Sequence, residues 1–97
     1  DPLGGMKVTP SGFGMLTRVL MDIADECCGG RFAAVLEGGY HLGGLTEGIK
    51  VVLDEMSGAT RVTEADLRRH ESEADASINR TIDSVIGQIK PYWKCFQ

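Results

Sequence analysis

Five consecutive apolar residues, Phe32-Ala33-Ala34-Val35-Leu36, constrain the fold of this chain more than any other stretch. They lie between Gly29-Gly30 and Gly38-Gly39, and they do not alternate polar with apolar. Unbroken apolarity over so short a run fits a strand covered on both faces, as in a parallel sheet sandwiched by helices. Such a strand needs neighbours, because its N–H and C=O groups must pair on either side. No second convincing strand occurs in the 97 residues. The partners are therefore expected outside them, and the chain reads as part of a larger α/β domain. Its abrupt opening on Asp1-Pro2, with no initiator Met, points to the same expectation.

The remaining pattern is helical. Thr9-Pro10 has the form of an N-cap followed by a first-turn proline. Phe13, Leu16, Val19, Leu20, Ile23, Ala24 and Cys27 then recur on one face, with Arg18, Asp22, Asp25 and Glu26 around the other. Gly29-Gly30 supplies the stop. A second helix is predicted from about Leu42 to Met56, with Leu42, Leu45, Ile49, Val52, Leu53 and Met56 on one side. Thr63 is a candidate N-cap for a polar helix or helical linker, with Glu64 and Asp66 in its first turn. Ile78, Ile82, Val85, Ile86 and Ile89 mark a final helix that Pro91 ends, and Tyr92, Trp93 and Phe96 are expected to pack back onto the body. The order is helix, strand, helix, polar stretch, helix.

Several function classes are excluded by composition. An apolar fraction of 42% with 25% charged residues is that of an ordinary globular domain, which rules against disorder. The longest apolar run falls far short of the roughly 20 residues of a membrane span. The net charge is −4 with no Lys/Arg stripe, so direct nucleic-acid binding is not expected. Cys27, Cys28 and Cys95 make an odd count, and adjacent cysteines cannot bridge without strain. That pattern fits free, partly buried thiols in a reducing, intracellular compartment, with no second ligand pair to complete a structural zinc site.

Two stretches could carry chemistry. Gly38-Gly39-Tyr40 stands at the carboxyl end of the expected strand, where open α/β sheets bind ligands. The glycines would let a substrate approach the backbone, and a phenol there could donate to a developing oxyanion. The same residues could equally make a turn and a helix start. Asp1-Pro2-Leu3-Gly4-Gly5 is a loop whose carboxylate could bind a metal or simply form the turn. His41 and His70 lack partners at metal-ligand spacing; His41 reads as a residue that packs or hydrogen-bonds beside the site, and His70 as a surface residue.

Taken together, Asp1-Pro2-Leu3-Gly4-Gly5-Met6, Val8-Thr9-Pro10 and Gly12-Phe13 resemble the segment that carries the last zinc ligand of histone deacetylases. Val35-Leu36-Glu37-Gly38-Gly39-Tyr40-His41-Leu42 resembles that family's active-site tyrosine motif, in the wording of class II and bacterial histone-deacetylase-like amidohydrolases. The resemblance runs from Asp1 to about Met56 and weakens through the polar stretch. It implies the C-terminal portion of a three-layer arginase/deacetylase-like α/β fold, residues 1–97 forming a partial domain of helices plus one core strand. It also implies roles: Asp1 as a zinc ligand, Tyr40 as the oxyanion-supporting donor, Gly38 and Gly39 as part of the substrate channel, and Val8 as an apolar wall near its mouth.

The family's other zinc ligands and its water-activating histidine pair have no counterpart here. A catalytic zinc needs three protein ligands and an open position. Zn2+ is thus expected in a full-length parent and not in this chain alone, which is expected to be inactive. The implied substrate is N-acetyl-lysine of a protein or a related acetylated amine, and the implied partner is the rest of the deacetylase domain. The rivals are an acetylpolyamine or other small-amide hydrolase, and a non-catalytic module that self-associates through the unpaired edges of Phe32 to Leu36.

Overall fold

The computed structural model describes residues 1–97 and contains four α-helices: α1 (Pro10–Cys28), α2 (Leu42–Ser57), α3 (Glu64–Ser72) and α4 (Ala76–Ile89), with a single 3-10 turn at Lys94–Phe96. The ends of α1 follow the predicted signals. Thr9 caps it, its hydroxyl accepting from the Gly12 N–H at 3.1 Å. Gly29 closes it in the left-handed conformation at φ 60°, and the Gly30 N–H returns to the Ala24 carbonyl at 3.0 Å. Gly58, at φ 80°, ends α2 in the same way.

Residues 1–63 and 64–97 form separate compact units. In the first, α1 and α2 pack side by side through small residues. A Cβ on Gly14 would stand 2.8 Å from Val51 Cγ1, and one on Gly48 would stand 3.6 Å from the Phe13 ring. Further along, Arg18 meets Glu55. Positions that advance along α1 therefore meet positions that advance along α2, so the two helices run parallel. That arrangement requires a return segment. Helix α1 is about 28 Å long, and residues 29–41, if extended, could span about 40 Å.

The return segment is where the core strand was expected, and no strand forms there. Residues 31–40 carry no regular secondary structure, and Val35 is 86% exposed. The physical reason is the absence of a ladder partner in the chain: the run is apolar enough for a buried strand but has nothing to pair with. Three other expectations are corrected. Arg18, assigned to the polar face of α1, is buried together with Thr17, while Leu16, Leu20 and Ile23 of the apolar stripe are exposed. The thiols of Cys27, Cys28 and Cys95 are free but exposed rather than partly buried. Tyr92 and Trp93 are likewise exposed instead of packed, Tyr92 at 84%.

In the second unit, α3 begins directly after Thr63 and is laced by Glu64–Arg68 and Asp66–Arg69 ion pairs one turn apart. Helix α4 starts at an Asp75 cap whose carboxylate accepts from the Ser77 N–H at 2.6 Å. It ends at Ile89, two residues before Pro91, and presents Ile78, Ile82 and Val85 to solvent. No helix is long and apolar enough to cross a membrane.

Candidate active site

Because α1 and α2 are parallel, the loops that precede them emerge at the same end of the pair. The Asp1 carboxylate joins those loops. Its Oδ2 accepts from the backbone N–H of Tyr40 at 2.8 Å and of His41 at 3.2 Å. Its Oδ1 accepts from the Leu3 N–H at 2.8 Å, an Asx turn that holds the Pro2–Gly5 bend. The Asp1 amino group donates to the Met6 carbonyl at 2.9 Å. Three of the roughly four lone-pair directions of this carboxylate are thus occupied by N–H donors.

On the other side of the junction, Gly38 and Gly39 adopt φ of 71° and 102°, a region L side chains rarely enter. A Cβ at Gly39 would stand 2.6 Å from Leu45 Cδ1, so position 39 is closed to a side chain on two counts. Gly38 lies under the Tyr40 ring, where a Cβ would stand 3.5 Å from Cε2. The Tyr40 side chain is 76% exposed. The glycine pair therefore sets the path of the chain, and the phenol stands at the surface of the unit.

His41 is the N-cap of α2: its Nδ1 accepts from the Gly44 N–H at 3.0 Å. A nitrogen that accepts carries no proton, so the ring is held with Nε2 as its donor. The sequence reading of His41 as a residue that hydrogen-bonds beside the site agrees with this, although the capping role itself was not foreseen. A His three residues before a glycine is a weak cap signal beside Ser, Thr, Asp or Asn. Val8 packs on the first turn of α1, where a Cβ on Gly12 would stand 3.2 Å from its Cγ1.

No group of three His, Cys, Asp or Glu side chains is placed to hold a metal ion. Asp1 offers one remaining lone-pair direction, and the His41 Nδ1 is engaged by its cap. The residues of this chain do not by themselves fit a zinc ion, which needs three protein ligands.

Sequence reasoning also missed a polar cluster between α1 and the last turn of α2, at the far end of α2 from Tyr40. Arg18 Nε donates to Glu55 Oε1 at 2.6 Å, with both side chains buried. Glu55 further accepts from the Thr60 hydroxyl at 2.8 Å and the Val62 N–H at 3.0 Å. Burial pushes the Glu55 carboxyl up, but the bonds from Arg18, Val62 and Thr60 outweigh it and hold the group below its usual range. Arg18 in turn is raised, first by its bond to Glu55. The available signal was the small residues Gly14 and Thr17 beside Arg18, which leave room for a helix to close over it.

The histone deacetylase domain model matches residues 1–56, the stretch that contains both loops and both parallel helices. The chain belongs to the histone deacetylase family. Human polyamine deacetylase HDAC10 is 45% identical over 58 residues, covering 60% of this chain and 8% of that protein. Histone deacetylase 4 of Caenorhabditis elegans is 34% identical over 97 residues, covering 96% of the chain and 10% of the relative. A probable deacetylase of Archaeoglobus fulgidus is 28% identical over 106 residues, covering 100% of the chain and 30% of the relative. The chain thus spans about a tenth of the length of the first two of these relatives. No solved structure matches it. Membership of the histone deacetylase family carries the arginase/deacetylase fold, of which these residues form helices.

Proposed function

We propose that this chain is the C-terminal portion of a zinc-dependent deacetylase that hydrolyses N-acetyl-lysine or a related acetylated amine. The observation that supports this most is the junction at Asp1, whose carboxylate accepts from the N–H groups of Tyr40 and His41 across 39 and 40 positions of sequence. Those bonds bring the Asp1 motif within hydrogen-bond reach of the Tyr40 motif, which is what supports the reading. In this reading Asp1 is one zinc ligand, and the other ligands and the water-activating base come from residues outside these 97. Zinc, when bound, supplies the Lewis acid for the acetyl carbonyl.

The chain's own contributions are three. In this reading the Tyr40 phenol donates to the oxygen on which negative charge develops, which lowers the barrier. Gly38 and Gly39, at positive φ, set the path that carries the chain into Tyr40, and in this reading they border the substrate channel through their backbone. Val8 forms part of the apolar wall at the channel mouth. With one ligand and no general base, the isolated chain is inactive. Its free thiols suit a reducing compartment.

In the full-length protein, Tyr40→Phe should lower turnover of an acetyl-lysine peptide by on the order of 100-fold, the scale of one lost oxyanion donor. Bound zinc should be unchanged in that variant, whereas Asp1→Ala should lower zinc content. Wild-type turnover in the first, or full metal in the second, would show the assigned role to be wrong. A second substrate reading has one observation in its favour, the 45% identity to a polyamine deacetylase. Comparing kcat/KM for an N-acetylpolyamine with that for an acetyl-lysine peptide decides between them.

A further inference from the structure

We infer that Asp1 is a positioning residue for Tyr40, through its bonds to backbone and independently of any metal it holds. The inference rests on the reading of Tyr40 as the oxyanion donor. With the Tyr40 side chain 76% exposed, the placing of its phenol depends on the backbone it grows from. That backbone is weakly determined on its own. Gly38 and Gly39 precede it, and glycine is the least restrained residue in the unfolded ensemble. Regular α2 structure begins only at Leu42.

The N–H groups of residues 40 and 41 precede the helix and need an acceptor from elsewhere. Both point at one oxygen, Asp1 Oδ2, at 2.8 and 3.2 Å. The other oxygen is anchored at 2.8 Å by the Leu3 N–H. The carboxylate is therefore a brace between two loops, fixed at one end by its own turn and gripping the other loop at the residue that bears the phenol. A charged acceptor makes each of these bonds stronger than a neutral one would. Release of the brace displaces the phenol, and a misplacement of about 1 Å in a reacting group costs on the order of 100-fold in rate.

The test follows amide hydrogen exchange in the full-length protein stripped of metal by a chelator. Metal-free wild type should keep the Tyr40 and His41 amides exchanging well below the free-peptide rate. Asp1→Ala should speed both by at least about tenfold, the scale of losing a bond to a charged acceptor, with the amides of α1 unchanged. Asp1→Asn, which keeps a carbonyl oxygen in place while losing the charge, should restore much of the protection without restoring zinc content. Exchange at the free-peptide rate in metal-free wild type overturns the inference, as does equal exchange in wild type and Asp1→Ala. The wild-type measurement stands even if a variant fails to fold. Failure of the deacetylase reading is separately visible: Asp1→Ala then keeps its zinc whatever its amides do.

Discussion

Arg18 and Glu55 face each other inside a pair of helices that otherwise buries little, and Glu55 has no exposed surface at all. All polar atoms of the pair are satisfied. Removing one partner is costly because it leaves the other charged and dry. Arg18→Met should therefore destabilise residues 1–63 by about 3–5 kcal/mol, and the double replacement Arg18→Met with Glu55→Met by markedly less. Urea midpoints of the two variants check the order. The pair also sets an acid limit. Glu55 titrates lower in the fold than the 4.5 of an unperturbed glutamate, so its contribution is complete above that value. It is lost as pH falls through the depressed folded value. Glu55→Gln should flatten the fall of urea midpoint below about pH 4.5, measured against wild type. At the loop, Gly39→Ala meets both an unfavourable φ of 102° and the Leu45 methyl group, so it should disturb the Tyr40 region. Loss of turnover in the full-length protein with α-helical content unchanged is the expected outcome.

The helices were legible because their boundaries are written in local chemistry. Thr9 and Pro10 start α1, Gly29 and Gly58 end α1 and α2, and the apolar spacing at 3.6 residues carries across each. The face each helix buries was not legible. Leu16, Leu20 and Ile23 belong to the most apolar face of α1, yet the residues α1 buries are Gly14, Thr17, Arg18 and Ala24, of which only Ala24 was placed on that face. Apolar periodicity marks a face that needs cover, without saying which neighbour supplies it. Close approach of two helices instead depends on small residues, and Gly14→Leu, which would drive a side chain into Val51, should lower the urea midpoint of this unit. The run Phe32–Leu36 teaches the same lesson for strands. Its composition is that of a buried strand, but a ladder is a relation between two segments, and only one is present.

At the scale of the whole molecule, the apolar surface left uncovered is large for so small a chain. Leu16, Val35, Leu42 and Leu53 are all more than half exposed, and an open groove of about 450 Å³ runs along α2 past Leu42, Leu45, Ile49 and Leu53. Surfaces of this kind mark contacts still to be made. Light scattering on the isolated chain should show a mean mass that rises with concentration, and a constant monomer mass would count against it. The Asp1 and Tyr40 motifs were each legible in the sequence, but the engagement of the carboxylate by three backbone amides was not. Motif resemblance identifies which residues meet and says nothing of the bonds through which they do so.

The like direction of α1 and α2 has an electrical consequence. Each helix carries the equivalent of about half a positive charge at its beginning. An antiparallel couple would cancel these fields at either pole. Here the two beginnings lie within about one turn of each other along the common axis, so the fields add at the pole where Asp1 and Tyr40 stand. An anion at that pole is drawn to it by the backbone itself, and less strongly as salt is raised.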